Sequence, residues 1–64
     1  MRHTLETRTV QQLKNVKNRR TNNLIRDRYI RAMEQMGYSY EEAFRCFADV
    51  WDVAMLEMYA ERAA

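Results

Sequence analysis

Across 64 residues this chain has no proline and only one glycine, Gly37. These two residue types are the strongest breakers of helix, costing roughly 3 and 1 kcal/mol in a helix interior. What remains is rich in Ala, Met, Leu, Glu, Gln and Arg, all good helix formers. The expected fold class is all-α, and position 37 is where the chain should turn. Its surroundings, "MGYSYEEA", suit a helix boundary on both sides. Gly37 can take the left-handed conformation that closes a helix after Met36. Ser39 can cap the next helix, Glu42 three residues on completes a capping box, and Glu41 and Glu42 favour the helix's positive end.

Hydrophobic phase places the remaining elements. At about 100° per residue, Val10, Leu13, Val16 and Leu24 point one way, while Ile25, Tyr29, Ala32, Met33 and Met36 point roughly 140° away. One straight helix cannot bury both stripes against one neighbour, so a bend or break is expected within residues 18–23, where Thr21, Asn22 and Asn23 could cap a new helix. Thr9, with Gln12 three positions on, offers a start for the first helix. Beyond Ser39 the stripe Ala43, Phe44, Phe47, Val50, Trp51, Ala54, Met58 stays in register as one amphipathic helix. The expected organisation is one small domain: a tail at 1–8, a shorter basic helix at 9–22, and a helical hairpin at 23–62 joined through Gly37 to Ser39.

So short a chain buries only about 60% of the surface it exposes when unfolded. The lone Cys46 cannot form an internal disulfide, and one histidine, His3, cannot build a zinc site that wants about four ligands. No metal or cofactor is therefore expected, and association, as a homo-oligomer or dimer, is the expected route to extra burial. Val53, Met55, Leu56, Tyr59 and Ala60 lie off the main stripe of the last helix and are the candidate protein interface. There is no apolar run long enough to span a membrane and no leader-like N-terminus, which points to the cytoplasm.

Enzymatic chemistry has little to work with. The chain offers no Gly-rich phosphate loop and no histidine partner for Cys46 or Ser39, so neither catalysis nor a small-molecule substrate is expected. Asp49 and Asp52 read as a solvated face, with Arg45 at ion-pairing distance in sequence from Glu41 and Asp49.

Charge is the stronger clue. Residues 1–31 carry nine Lys/Arg against Glu6 and Asp27, a net +7, whereas residues 32–64 carry Arg45 and Arg62 against seven acids, a net −5. Nucleic-acid-binding helices need cations for phosphates and Asn, Gln or Arg for base edges. Lys14, Lys17, Asn18, Arg19, Arg20, Asn22, Arg28 and Arg31 supply both. All seven aromatic residues lie from Tyr29 onward, which disfavours base stacking and favours contact with a duplex backbone. Five phosphate contacts would give a log K against log salt slope of roughly −4 to −5. The expectation is a small non-enzymatic regulator whose basic N-terminal helix binds nucleic acid or an acidic protein surface and whose C-terminal helix self-associates. The alternative is a phage-type or mobile-element protein that inhibits or adapts another protein through that apolar helix, with the charges steering association.

The run "IRDRYIRAMEQMGYSYEEAFRCFADVWDV" is similar to prokaryotic helix-turn-helix proteins, with Phe47, Ala48, Val53 and Met58 at the motif's small and apolar positions. Asp52 stands where that motif usually has Gly, and the stripe through Trp51 and Ala54 leaves no turn. Separately, "MGYSYEEA" resembles the loop and second helix of ubiquitin-associated domains, which would have Met36, Gly37 and Tyr38 touch ubiquitin.

Overall fold

The computed structural model describes residues 2–16 and 19–63, the side chain of Arg2 excepted. Three helices and no strand occupy the described residues: α1 Arg2–Lys14, α2 Arg19–Gln35 and α3 Tyr40–Ala63. The all-α expectation is met. All three helices touch one another. Lys14 at the end of α1 meets Glu57 and Glu61 late in α3, while Tyr29 of α2 packs on Phe47 early in α3. Hence α1 and α3 run the same way and α2 runs against both.

The turn after α2 is built by local chemistry. Gly37 has φ +100, a conformation that an L side chain resists, although a Cβ there would meet nothing within 4 Å. The Tyr38 N–H donates to the Met33 carbonyl at 3.1 Å and the Gly37 N–H to the Glu34 carbonyl at 3.0 Å, the paired bonds of a Schellman ending. Tyr38 then packs half-buried against the core. At the start of α3 the Glu42 N–H donates to Ser39 Oγ at 3.2 Å, and the Ser39 hydroxyl donates to Glu42 Oε1 at 3.1 Å. The cap forms as expected, except that the Glu42 carboxylate takes the hydroxyl rather than the Ser39 backbone N–H.

The first helix departs from expectation. Residues 2–8 are helical rather than a tail, and Thr9 caps nothing. Its hydroxyl donates to the Leu5 carbonyl at 2.8 Å, four residues back, and Thr7 does the same to His3 at 2.9 Å. By bonding within the helix, Thr9 loses no hydrogen bond on burial and is only 2% exposed. The break also comes early. Bonds from Asn15 N–H to Gln12 and from Val16 N–H to Leu13, each 3.2 Å, tighten the end of α1. Helix resumes at Arg19, so Thr21, Asn22 and Asn23 sit inside α2 instead of capping it.

Val10, Leu13, Ile25, Tyr29, Ile30, Met33, Ala43, Phe47, Val50 and Ala54 form the core. The Tyr29 and Phe47 rings are 5.8 Å apart and tilted by 53°, a favourable aromatic arrangement. Ile30 is buried because α2 is gripped by helices on two sides and needs a wider apolar arc than one stripe. Phe44, expected in the core, is 45% exposed and instead meets Tyr40 one turn earlier at 6.2 Å. The helix α3 is continuous through Asp52, so the turn that a helix-turn-helix reading needs is not there. The loop that precedes a third helix in ubiquitin-associated domains is likewise missing from it.

Candidate nucleic-acid interface

The cations of the first half have different fates. Lys14, at the negative end of α1, lies across the α1/α3 seam from two acids of α3. Its Nζ donates to Glu57 Oε1 at 3.3 Å and to Glu61 Oε1 more closely, with only 13% of the side chain exposed. The hydrogen bond to Glu61, seconded by Glu57, raises its pKa above the ordinary 10.5 against an opposing effect of partial desolvation. Lys14 is thus occupied within the chain. Lys17 and Asn18 lie outside the described residues.

On α2 the pattern reverses. Arg20, Arg28 and Arg31 are exposed and share one outward face around Leu24, itself 51% exposed. Among the described residues none of these three, nor Arg19, has a carboxylate within ion-pair distance. Arg26 does, through Asp27 Oδ1 at 3.3 Å, but the partner is its own neighbour and most of that carboxylate faces water. Arg45, expected to pair with Glu41 and Asp49, likewise makes no ion pair among the described residues. From Arg20 to Arg31 the stripe runs about 17 Å along the axis, longer than the roughly 12 Å width of the B-DNA major groove.

A second cationic surface lies around the helix from the first. Arg19, Asn22, Asn23 and Arg26 of α2 form one wall of a groove whose other wall is Phe47 and Trp51 of α3, enclosing about 280 Å³. Asn22 is half-buried there, and its side-chain Oδ1 is buried without a hydrogen-bond partner among the described residues. Of the residues expected in the site, Asn22 and Arg19 line this groove; Arg26, not among them, and Trp51, expected in the core stripe, line it too. The signal for Arg26 was present: it stands seven residues after Arg19, two turns along the same face. No local signal could have found Trp51.

The candidate protein interface divides as well. Val53, Leu56 and Tyr59 are 45%, 70% and 76% exposed, and Ala60 is exposed beside them. Met55 is instead half-buried, packed against the core. Between α1 and α3 a further groove of about 260 Å³ has Val10, Val50 and Val53 along it and Glu6, Asp49 and Glu57 among its polar residues.

Among the described residues no three His, Cys, Asp or Glu side chains converge as a metal site, and no helix is long and apolar enough to cross a membrane. No known family model, curated protein or solved structure matches the chain, so its role has to be read from its own geometry.

Proposed function

We propose that this is a non-enzymatic cytoplasmic regulator that binds the backbone of duplex nucleic acid through the outer face of α2. The observation that carries the reading is the set Arg20, Arg28 and Arg31: three guanidinium groups on one face of a well-anchored helix, with no carboxylate of the described chain to neutralise them. Arg is well suited to phosphate because its planar fork donates two parallel hydrogen bonds. Burial of Ile25, Tyr29 and Met33 fixes which way the arginines point. Binding by such contacts is sequence-independent and salt-dependent. The proposed site thus moves from the first helix to the second, and Lys14 leaves it. The test is titration of a short labelled duplex with the protein and with Arg20, Arg28 and Arg31 replaced by Gln. Affinity that survives the triple substitution would remove the reading.

Self-association belongs to the same proposal. A leucine at 70% exposure and a tyrosine at 76%, one turn apart at the end of α3, form an apolar patch that a second copy could cover. The same patch supports the rival reading, in which a foreign protein docks there and the chain acts as an inhibitor or adaptor. Sizing of the purified protein separates them. Dimers lost on Leu56→Ser with Tyr59→Ser favour self-association, whereas a monomer at all concentrations favours the rival.

A further inference from the structure

The groove between α2 and α3 combines features that neither helix has alone. Arg19 and Arg26 bring two cations, and Arg19 is the first residue of a helix whose first turn holds no acid, so no carboxylate of that turn offsets the positive helix end. Phe47 and Trp51 bring aromatic surface to the opposite wall, Phe47 sealed into the core and Trp51 half-exposed. Asn22 and Asn23 add amides, and the Asn22 Oδ1 is a buried acceptor with no donor among the described residues. An unmet buried acceptor costs stability until a donor reaches it. At about 280 Å³ the groove lies just below the size of typical small-ligand sites.

A nucleotide has the chemistry these residues match: a planar ring for Trp51, a phosphate for the guanidinium groups, and a base edge with N–H donors for an asparagine oxygen. We infer that this groove holds one nucleotide, its base against Trp51 and its phosphate on Arg19 and Arg26. The inference rests on the proposed binding of nucleic acid by α2 when that nucleotide is an unpaired position of a strand. A free mononucleotide offers the same chemistry. Although the aromatics follow the cations in the sequence, the antiparallel pairing of α2 with α3 returns Trp51 to the level of Arg19 and Arg26.

Trp51 is the sole tryptophan, so its emission reports on this groove without background. Three probes are titrated: a short blunt duplex, the same duplex with one unpaired terminal nucleotide, and a free mononucleotide. The unpaired-end duplex is expected to bind roughly fivefold to a hundredfold more tightly than the blunt one, the gain of stacking one base, and to change the emission where the blunt duplex does not. In Arg19→Gln with Arg26→Gln helicity should persist and the preference should vanish, the blunt and unpaired-end duplexes then binding alike. An emission change with the mononucleotide alone, abolished by the same pair, also supports the groove and assigns it to free nucleotides. Unchanged emission with all three probes overturns the inference. Whether the blunt duplex still binds then decides separately the reading for the outer face of α2.

Discussion

Lys14 at the end of α1 and the arginines on the outer face of α2 carry the same charge and stand within 17 residues of one another, yet among the described residues only Lys14 of this set finds counterions. Register decides the difference. Lys14 projects across the α1/α3 seam toward Glu57 and Glu61, whereas Arg20, Arg28 and Arg31 lie on the side of α2 opposite its buried residues. A net charge of +7 in the first half therefore overstates what is offered outward at Lys14 and says nothing about which side offers the rest. Charge totals describe a chain; the direction of each side chain decides whether a charge is spent on the fold or left for a partner.

Four substitutions break or sharpen this contrast. The largest effect is expected from Leu13→Ala, which removes a 2%-exposed anchor one residue from Lys14. A loss of about 2–5 kcal/mol is expected in denaturant unfolding, and with α1 loosened Lys14 should behave like the free arginines. Next, replacing Arg20, Arg28 and Arg31 together with Gln should weaken duplex binding roughly a hundredfold near physiological salt, by the loss of three phosphate contacts. The melting temperature should hardly move, because none of the three has an ion-pair partner among the described residues. Third, Gly37→Ala should cost about 1–2 kcal/mol through backbone strain at positive φ alone, since there is room for the methyl group. This loss should leave both kinds of cation as they are. The smallest effect is expected for Lys14→Met, a slight loss of thermal stability with duplex affinity unchanged. Its pH signature is specific. Because folding raises the pKa of Lys14, its contribution is intact below the ordinary 10.5 and fades as pH climbs through the raised value. Thermal unfolding followed into alkaline pH should show that late loss in the parent chain and not in Lys14→Met.

How much of this was legible beforehand follows from how local each feature is. The turn at Gly37 to Ser39 could be read because every group that makes it lies within a few residues. The start of α1 could not. Thr9 looks like a cap in sequence, but packing of Leu5 and Thr9 on the other helices carries the helix through it, and a hydroxyl bonding four residues back makes that burial tolerable. Burial of Ile30 is not legible from a single-stripe pattern, which assumes one neighbour where α2 has two. The outer arginines were named from composition, yet their separation from Lys14 depends on helix register. The Arg–Trp groove lay furthest out of reach, since Trp51 follows Arg19 by 32 residues and meets it only once α2 and α3 are paired in their observed register.

If the outer guanidinium groups of α2 meet phosphates, as proposed, the salt dependence of duplex affinity must differ between the parent chain and the triple Gln variant. Three phosphate contacts predict that log K against log salt is steeper in the parent by roughly 2.7, at about 0.9 per contact on duplex DNA. Equal slopes for the two proteins, or a flat response in the parent, would contradict it.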